Sequence, residues 1–352
     1  MGLATSRQTG LIFVELADGT VGLGEAWGPP GVSAAYLDLI RPYFIGCSVF
    51  AFEHAVDLVL SRHYHFGIQN QMMSVISGID VAARDAAAKR LGVPLYDLIG
   101  GARELEVPIY ASGGYITAAP EADFEAQMAQ IAGGGFSSVK IKIGMSPASD
   151  EWRVTKAREV LGDDVELLVD TNSNYTVDVA LESMRRIEKY RIGWYEEPLS
   201  PLDFEGYAEL CRRAPIPVAT GEALYTAHDF KRLADIRGAH ILQPDLSLCG
   251  GLGQGRRIAD IARLSHMRLS PHVWGSAVGL AAACHFVASL SGYPHAGHCP
   301  KPSLLEYDVG ENPLRDELLK TPIVRKGNKV LVPEGPGLGI ELDEAALARF
   351  AQ

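Results

Sequence analysis

Eight ionisable side chains, Lys140, Lys142, Asp170, Glu196, Glu222, Asp245, His272 and Glu306, recur through the second half of this 352-residue chain. From Lys142 onward the gaps between them are 28, 26, 26, 23, 27 and 34 residues, each close to one strand–helix unit. Each sits at or just past the end of a β-rich run, so a parallel barrel would deliver all of them to the same mouth, the face where barrel active sites are built. Loops are polar in any case, and one or two such residues would mean little. Seven consecutive strands ending in Lys, Asp, Glu or His mean a site.

The residue types say what such a site could do. Asp170, Glu196 and Glu222 form an all-oxygen set with no Cys or His at hand, which favours Mg²⁺ over Zn²⁺. Three converging carboxylates repel unless a divalent cation neutralises them. Alternation along a strand points Glu196 and Glu197 oppositely, so spacing leaves open which of them binds. Lys140 and Lys142 are two apart, on one face, and mutual repulsion is expected to lower an ammonium pKa toward that of a base. Across the mouth, His272 is expected to face the reacting carbon, with Asp245 setting its tautomer. Glu306, if protonated, would donate to a developing oxyanion. Two bases flanking a metal describe removal of a proton α to a carboxylate, with the charge of an enediolate held electrostatically.

The elements that must position these groups are legible too. Short β-rich runs at 107–112, 138–143, 165–170, 192–196, 217–221, 239–243 and 267–271 alternate with amphipathic helical stretches. An eighth strand is expected near Ser303–Glu306, giving a (β/α)8-type TIM barrel of the α/β class over residues 103–320. Residues 1–102 read as an α+β capping domain. It opens with runs Leu11–Leu16 and Val21–Glu25 joined by Asp18-Gly19, and includes a long helix over 72–91 stopped by Gly92 and Pro94. Residues 321–352 are too few to fold alone and are expected to return to the cap.

Composition narrows the class further. Apolar residues make up 47% and charged ones 21%, the usual balance of a globular protein. The net charge of −11 and the lack of a basic stripe exclude nucleic acid and anionic membrane as expected partners. No apolar run approaches a membrane span, and the first residues lack the layout of a signal peptide. Five scattered cysteines without a C-x-x-C pair point to a reduced, cytoplasmic setting. The run Cys249–Gly255 lacks the G-x-G-x-x-G spacing of a phosphate cradle and reads as a tight βα turn. His295, His298 and Cys299 lack a fourth metal ligand.

Taken together, Lys140-Ile-Lys142, Asp170-Thr-Asn172, Glu196-Glu-Pro198, Gly221-Glu222, Gln243-Pro-Asp245 and Pro271-His272 resemble the enolase superfamily, specifically its mandelate racemase subgroup. The stretches GIDVAARDAAAKRLGVPLYDLIGG and EGPGLGIEL are similar to family signatures as well, so the resemblance runs from Thr9 to about Phe350. It implies Mg²⁺ on Asp170, Glu196 and Glu222, which settles the choice of glutamate. Lys142 would be one base, Lys140 would sit at the substrate carboxylate, His272 with Asp245 would be the second base, and Glu306 the acid group opposite the metal. A small carboxylate substrate and a homo-oligomer, dimer or octamer, follow from the same resemblance.

The Lys-x-Lys and Asp–His pairs are similar to the racemase and acid-sugar dehydratase lines, whereas the muconate cycloisomerase branch carries a lysine where this chain has His272. The stretches QPDLSLCGG and PHVWG resemble galactarolactone cycloisomerases. The expected activity is therefore dehydration of a sugar acid, with racemisation, epimerisation or lactone cycloisomerisation on the same scaffold as alternatives. A Schiff-base aldolase using Lys142 and a non-catalytic carboxylate-binding barrel are the readings from other classes. Asn172, Trp274, Trp27 and His65, the last in a turn between cap helices, are the expected substrate contacts. Relative to the family the chain starts about where the first substrate-covering loop ends, so the cap is expected to carry one strand fewer.

Overall fold

The computed structural model describes residues 6–290 and 301–351; His295, His298 and Cys299 lie outside the described residues. Strands β1 (Thr9–Glu15) and β2 (Val21–Trp27) form the antiparallel hairpin that Asp18-Gly19 predicts. It lies against α3 (Gln71–Leu91), with α1 (Pro30–Ile40) and α2 (Phe52–Arg62) completing the cap. The Asn70 side chain accepts from Met72 N to start α3, and Gly92 ends it in the left-handed conformation at φ 71°. Ile12, Ala26, Ile40, Val59, Met72, Ile76 and Ile79 make a core of the cap's own. The hairpin approaches α3 through two glycines: a Cβ on Gly22 would lie 1.9 Å from Ala82 O, and one on Gly24 would lie 2.0 Å from Gly78 O.

After the short α4 (Leu95–Leu98) the barrel begins. Its strands are β3 (Glu106–Gly113), β4 (Ser138–Lys142), β5 (Glu166–Asp170), β6 (Tyr195–Glu196), β7 (Val218–Thr220), β8 (Ile241–Leu242), β9 (Arg268–Leu269) and β10 (Leu305–Asp308). Between them run α5 (Pro120–Ala132), α6 (Pro147–Leu161), α7 (Val177–Ile187), α8 (Phe204–Arg213), α9 (Thr226–Asp235), α10 (Gly251–Leu264) and α11 (Ala277–Ala288). The eight strands are parallel in the order β10-β3-β4-β5-β6-β7-β8-β9. At the seam between β9 and β10, Ser270 Oγ donates to Leu304 O at 2.6 Å and Glu306 N donates to Pro271 O at 3.5 Å. The architecture is an α/β barrel of the (β/α)8 type with an α+β cap.

Only the four-residue α12 (Pro313–Asp316) follows β10. The tail then makes a hairpin, β11 (Arg325–Lys326) and β12 (Lys329–Leu331), whose second strand pairs antiparallel with β3 of the barrel. Beyond it the chain reaches the cap, where Leu95 N donates to Gly337 O at 2.7 Å and Leu338 N donates to Asp85 Oδ1 at 2.7 Å. The terminal α13 (Glu344–Phe350) ends the described chain. No helix among the described residues is long and apolar enough to cross a membrane.

Candidate active site

Parallel register sets the site. Lys142 is paired with Asp170, and Asp170 with Glu196, so three consecutive strand ends stand at one level. Glu222 joins them from the turn after β7, and one ligand atom from each of Asp170, Glu196 and Glu222 lies within 4.8 Å of the others. The geometry thus selects Glu196 over Glu197 for this cluster. On the far side a parallel bridge between Asp245 and His272 extends the β8–β9 ladder. It brings Asp245 Oδ2 to 2.7 Å from His272 Nδ1. The other ring nitrogen then faces inward, 3.6 Å from Glu222 Oε2 and 3.5 Å from Glu306 Oε2.

All eight strand-end residues therefore share one mouth. Lys140, fully buried, bonds Glu196 Oε1 and lies 3.0 Å from Glu306 Oε1 and 3.6 Å from Asp170 Oδ2. Lys142 Nζ lies 2.5 Å from Asp170 Oδ2. These contacts reverse two expectations about protonation. Burial and Lys140 work against a charge on Lys142, but the carboxylates of Asp170, Glu222 and Glu306 together outweigh them and raise its pKa. The lysine pair was visible along one strand; the carboxylate opposite it was not. Burial likewise favours a neutral Glu306, but Lys140 and His272 hold it down to about 2, a carboxylate rather than an acid. For His272, burial is overcome by Glu222, Glu306 and Asp245, and the ring is raised to about 10.

Positive charge is what the cluster lacks. Burial and the neighbouring Asp170, Glu306 and Glu222 push Glu196 up to about 8 in spite of Lys140. The Glu222 Oε2, Asn172 Oδ1 and Gln243 Oε1 atoms are buried with no hydrogen-bond partner. All three are acceptors beside the triad: Gln243 Nε2 donates to Glu196 Oε2 at 2.6 Å and Asn172 Nδ2 to Asp170 Oδ2 at 3.3 Å. Buried acceptors without donors call for a cation or a donor group. Hard oxygens with amide carbonyls beside them suit a hydrated divalent ion.

The expected substrate contacts are placed unequally. Asn172, in the left-handed region at φ 46°, stands at the triad and donates its backbone N–H to Asp170 Oδ1 at 2.8 Å. Trp274 lies two residues past His272, with the Arg7 guanidinium 4.3 Å over its ring. Trp27 is 40% exposed on the cap, its backbone N–H bonded to Ser247 O in the loop behind Asp245. His65 is exposed on the turn after α2 with its ring against Tyr64. That turn reaches the barrel further along, where Gln69 Nε2 donates to Asp229 Oδ1 at 3.0 Å.

Several supporting groups escaped the sequence reading. Arg7 bonds Asp308, two residues past Glu306. Arg153, buried on α6, donates to Lys142 O at 2.7 Å and to Gly114 O, holding two strand ends. Trp194 Nε1 donates to Glu196 Oε2 at 2.9 Å. Glu25 of the cap is 2% exposed against the start of α11. Its sequence signal was available, an acid closing an apolar strand, the same pattern that picked out the barrel residues.

A parallel eight-strand barrel with a carboxylate triad between a Lys-x-Lys strand and an Asp–His pair defines a class. Residues 1–100 match the family described as mandelate racemase / muconate lactonizing enzyme, N-terminal domain, and residues 123–346 match enolase C-terminal domain-like. The chain belongs to this family of the enolase superfamily and is an enzyme. It is 34% identical over 342 residues to D-galactarolactone cycloisomerase of Agrobacterium fabrum, covering 97% of this chain and 90% of that one. To arabinonate dehydratase of Saccharolobus solfataricus it is 29% identical over 345 residues, covering 96% and 89%. A solved racemase from Streptomyces coelicolor A3(2) with bound magnesium matches with a TM-score of 0.86 at 28% identity, covering 97% of this chain and 91% of that one.

Proposed function

We propose that the protein is a Mg²⁺-dependent sugar-acid dehydratase, which removes the proton α to the carboxylate and expels the β-hydroxyl as water. The observation that carries this reading is the placement of Lys142 and His272 on either side of the triad, three strands apart one way round the ring and five the other. Asp170, Glu196 and Glu222 would hold Mg²⁺, whose positive charge would stabilise the substrate's carboxylate oxygens as the proton leaves and would draw Asp170 away from its pairing with Lys142. Lys142 Nζ takes the C2 proton, and Lys140 beside it answers the charge growing on the carboxylate. The C2–H electrons pass first into the carboxylate as an enediolate, and in a second step form the C2=C3 bond as the C3–O bond breaks. His272, kept as an imidazolium with its inner N–H turned toward the mouth, gives that proton to the departing hydroxyl, making water. Ketonisation puts a solvent proton on C3 and leaves a 2-keto-3-deoxy acid, and the proton taken by Lys142 returns to the imidazole through solvent. Glu306, ionised between Lys140 and His272, orients both donors.

The similarity to a cycloisomerase favours one variation, in which the leaving oxygen belongs to a ring and stays attached to the product. A panel of aldonic acids, aldaric acids and their lactones, assayed with Mg²⁺ by mass spectrometry, separates the outcomes. Loss of one water with a 2-keto product is expected. An unchanged mass with an opened ring would replace water loss by cycloisomerisation, and an unchanged mass with inversion at C2 would make the enzyme a racemase or epimerase.

A further inference from the structure

The two halves of the site are held by different parts of the molecule. On the Lys142 side the supports are the barrel's own: Arg153 of α6 bonds Lys142 O, and Asp150 of the same helix accepts from Gly144 N at 2.8 Å. On the Asp245–His272 side the barrel supplies Glu306, which accepts from Val273 N at 3.3 Å, and Asn312, which donates to Gly275 O at 2.9 Å, and the cap supplies the rest. Glu25, at the end of the hairpin, accepts from Ser276 N at 2.9 Å, Ser276 Oγ at 2.5 Å, Gly279 N at 2.8 Å and Thr9 Oγ1 at 2.7 Å. It has no Lys or Arg partner among the described residues; its charge is met by the N-terminus of α11, four residues beyond His272. The barrel is cut to receive it, since a Cβ on Gly275 would fall 2.1 Å from Glu25 Oε1 and one on Gly279 3.0 Å from Oε2.

The neighbouring helix repeats the arrangement. Asp80 of α3 accepts from Gly253 N in the first turn of α10 at 3.2 Å, and Ser77 Oγ of α3 accepts from Gly250 N at 2.8 Å. The α10 N-cap residue, Gly250, offers no side chain of its own. One turn earlier Ser74 Oγ donates to Ser247 O at 2.7 Å, while Ser247 N donates to Asp245 Oδ1 at 2.7 Å. Thus the cap places a carboxylate on each of the two helices that follow the strands bearing Asp245 and His272. We propose that Glu25 is a positioning residue for His272, so that docking of the cap sets the proton-donating half of the site and leaves the Lys142 half unaffected. The kinetic part of this proposal rests on the reaction assigned above.

The test uses the full-length protein and the variants Glu25→Gln and Glu25→Asp. Backbone hydrogen exchange without substrate should rise about tenfold or more over residues 273–280 in Glu25→Gln and stay within about twofold over 139–143. Glu25→Asp should restore part of the protection. With Mg²⁺ and the sugar acid that the parent dehydrates, Glu25→Gln should lower kcat about tenfold or more with KM within about twofold. In D₂O, deuterium entry at C2 of recovered substrate should rise relative to turnover, because Lys142 still removes the proton. Should Glu25→Gln fail to fold, Thr9→Val removes one donor to the carboxylate and is expected to act in the same direction. Exchange that rises equally at both segments, or at neither, overturns the proposal, as does a parallel fall of C2 exchange and turnover. A parent that dehydrates no sugar acid counts against the assigned reaction, and the backbone exchange still decides the positioning of the His272 segment.

Discussion

Charges buried in a barrel mouth are costly unless each is answered. Lys140, Lys142 and His272 bring three positive charges to Asp170, Glu196, Glu222, Asp245 and Glu306, which bring five negative ones once a cation displaces the proton that Glu196, raised to about 8, otherwise holds. The difference is the charge of one divalent cation. Glu197, next to the triad, does not add to it, because burial and its acidic neighbours push its carboxyl well above the usual range. Asp170→Asn and Glu222→Gln each remove one carboxylate of the proposed Mg²⁺ site. In the parent, Mg²⁺ at about 100 times its Kd should stabilise the fold by about 2.7 kcal/mol, read as a rise in Tm. In either variant this rise should largely vanish, and activity should fall by at least about a hundredfold. A variant that keeps the full Mg²⁺-induced rise would remove its residue from the metal site. What the sequence could not convey at this scale was who faces whom across strands. The repulsion between Lys140 and Lys142 was visible within one strand, but the pairing of Lys142 with Asp170 depends on register.

At the scale of elements, helix and strand boundaries followed closely from the sequence because their stop signals are local. Gly92 ends α3 in the left-handed region, and Asp18-Gly19 turns the first hairpin. The packing of that hairpin is less forgiving than its pattern. Gly24→Ala, which drives a Cβ toward Gly78 O, should destabilise the fold by roughly 1–3 kcal/mol, seen as a lower urea midpoint with the slope unchanged. A shift below about 0.5 kcal/mol would mean that the hairpin stands off α3. His285, on α11, holds two other elements: its Nδ1 accepts from Tyr96 N and its Nε2 donates to Leu338 O. Burial pushes this ring down to about 4 from an ordinary 6.5, so it stays neutral in the fold. Between those values the unfolded chain binds a proton that the folded one refuses. Stability from this group is therefore whole above pH 6.5 and falls as the pH drops toward 4, by about 3 kcal/mol. Urea titrations across that range should show a shallower loss in His285→Gln. An unchanged slope would assign the acid sensitivity to other groups.

On the scale of the whole molecule, the chain is a barrel clasped by segments from both ends. The barrel was legible because one strand–helix unit repeats and every strand end from the second to the eighth declares itself by charge. The return of the tail to the cap was expected, since residues 321–352 are too few to fold alone, but the partners of the clasp were not legible, because its bonds join residues far apart in sequence. Glu25 meets Ser276, Asp85 meets both Leu23 N and Leu338 N, and β12 pairs with β3 rather than with any strand of the cap. No local pattern in the tail signals these partners.

In the proposed reaction Lys142 removes the C2 proton of a sugar acid only when a divalent cation is on the triad. Proton NMR of the C2–H signal in D₂O tests it, comparing the parent with Mg²⁺, the parent with EDTA, and Lys142→Ala with Mg²⁺. The signal should be lost in the first sample, with a 2-keto-3-deoxy product carrying deuterium at C3, and retained in the other two. Product formed in EDTA, or product that keeps the original C2 proton, would contradict it.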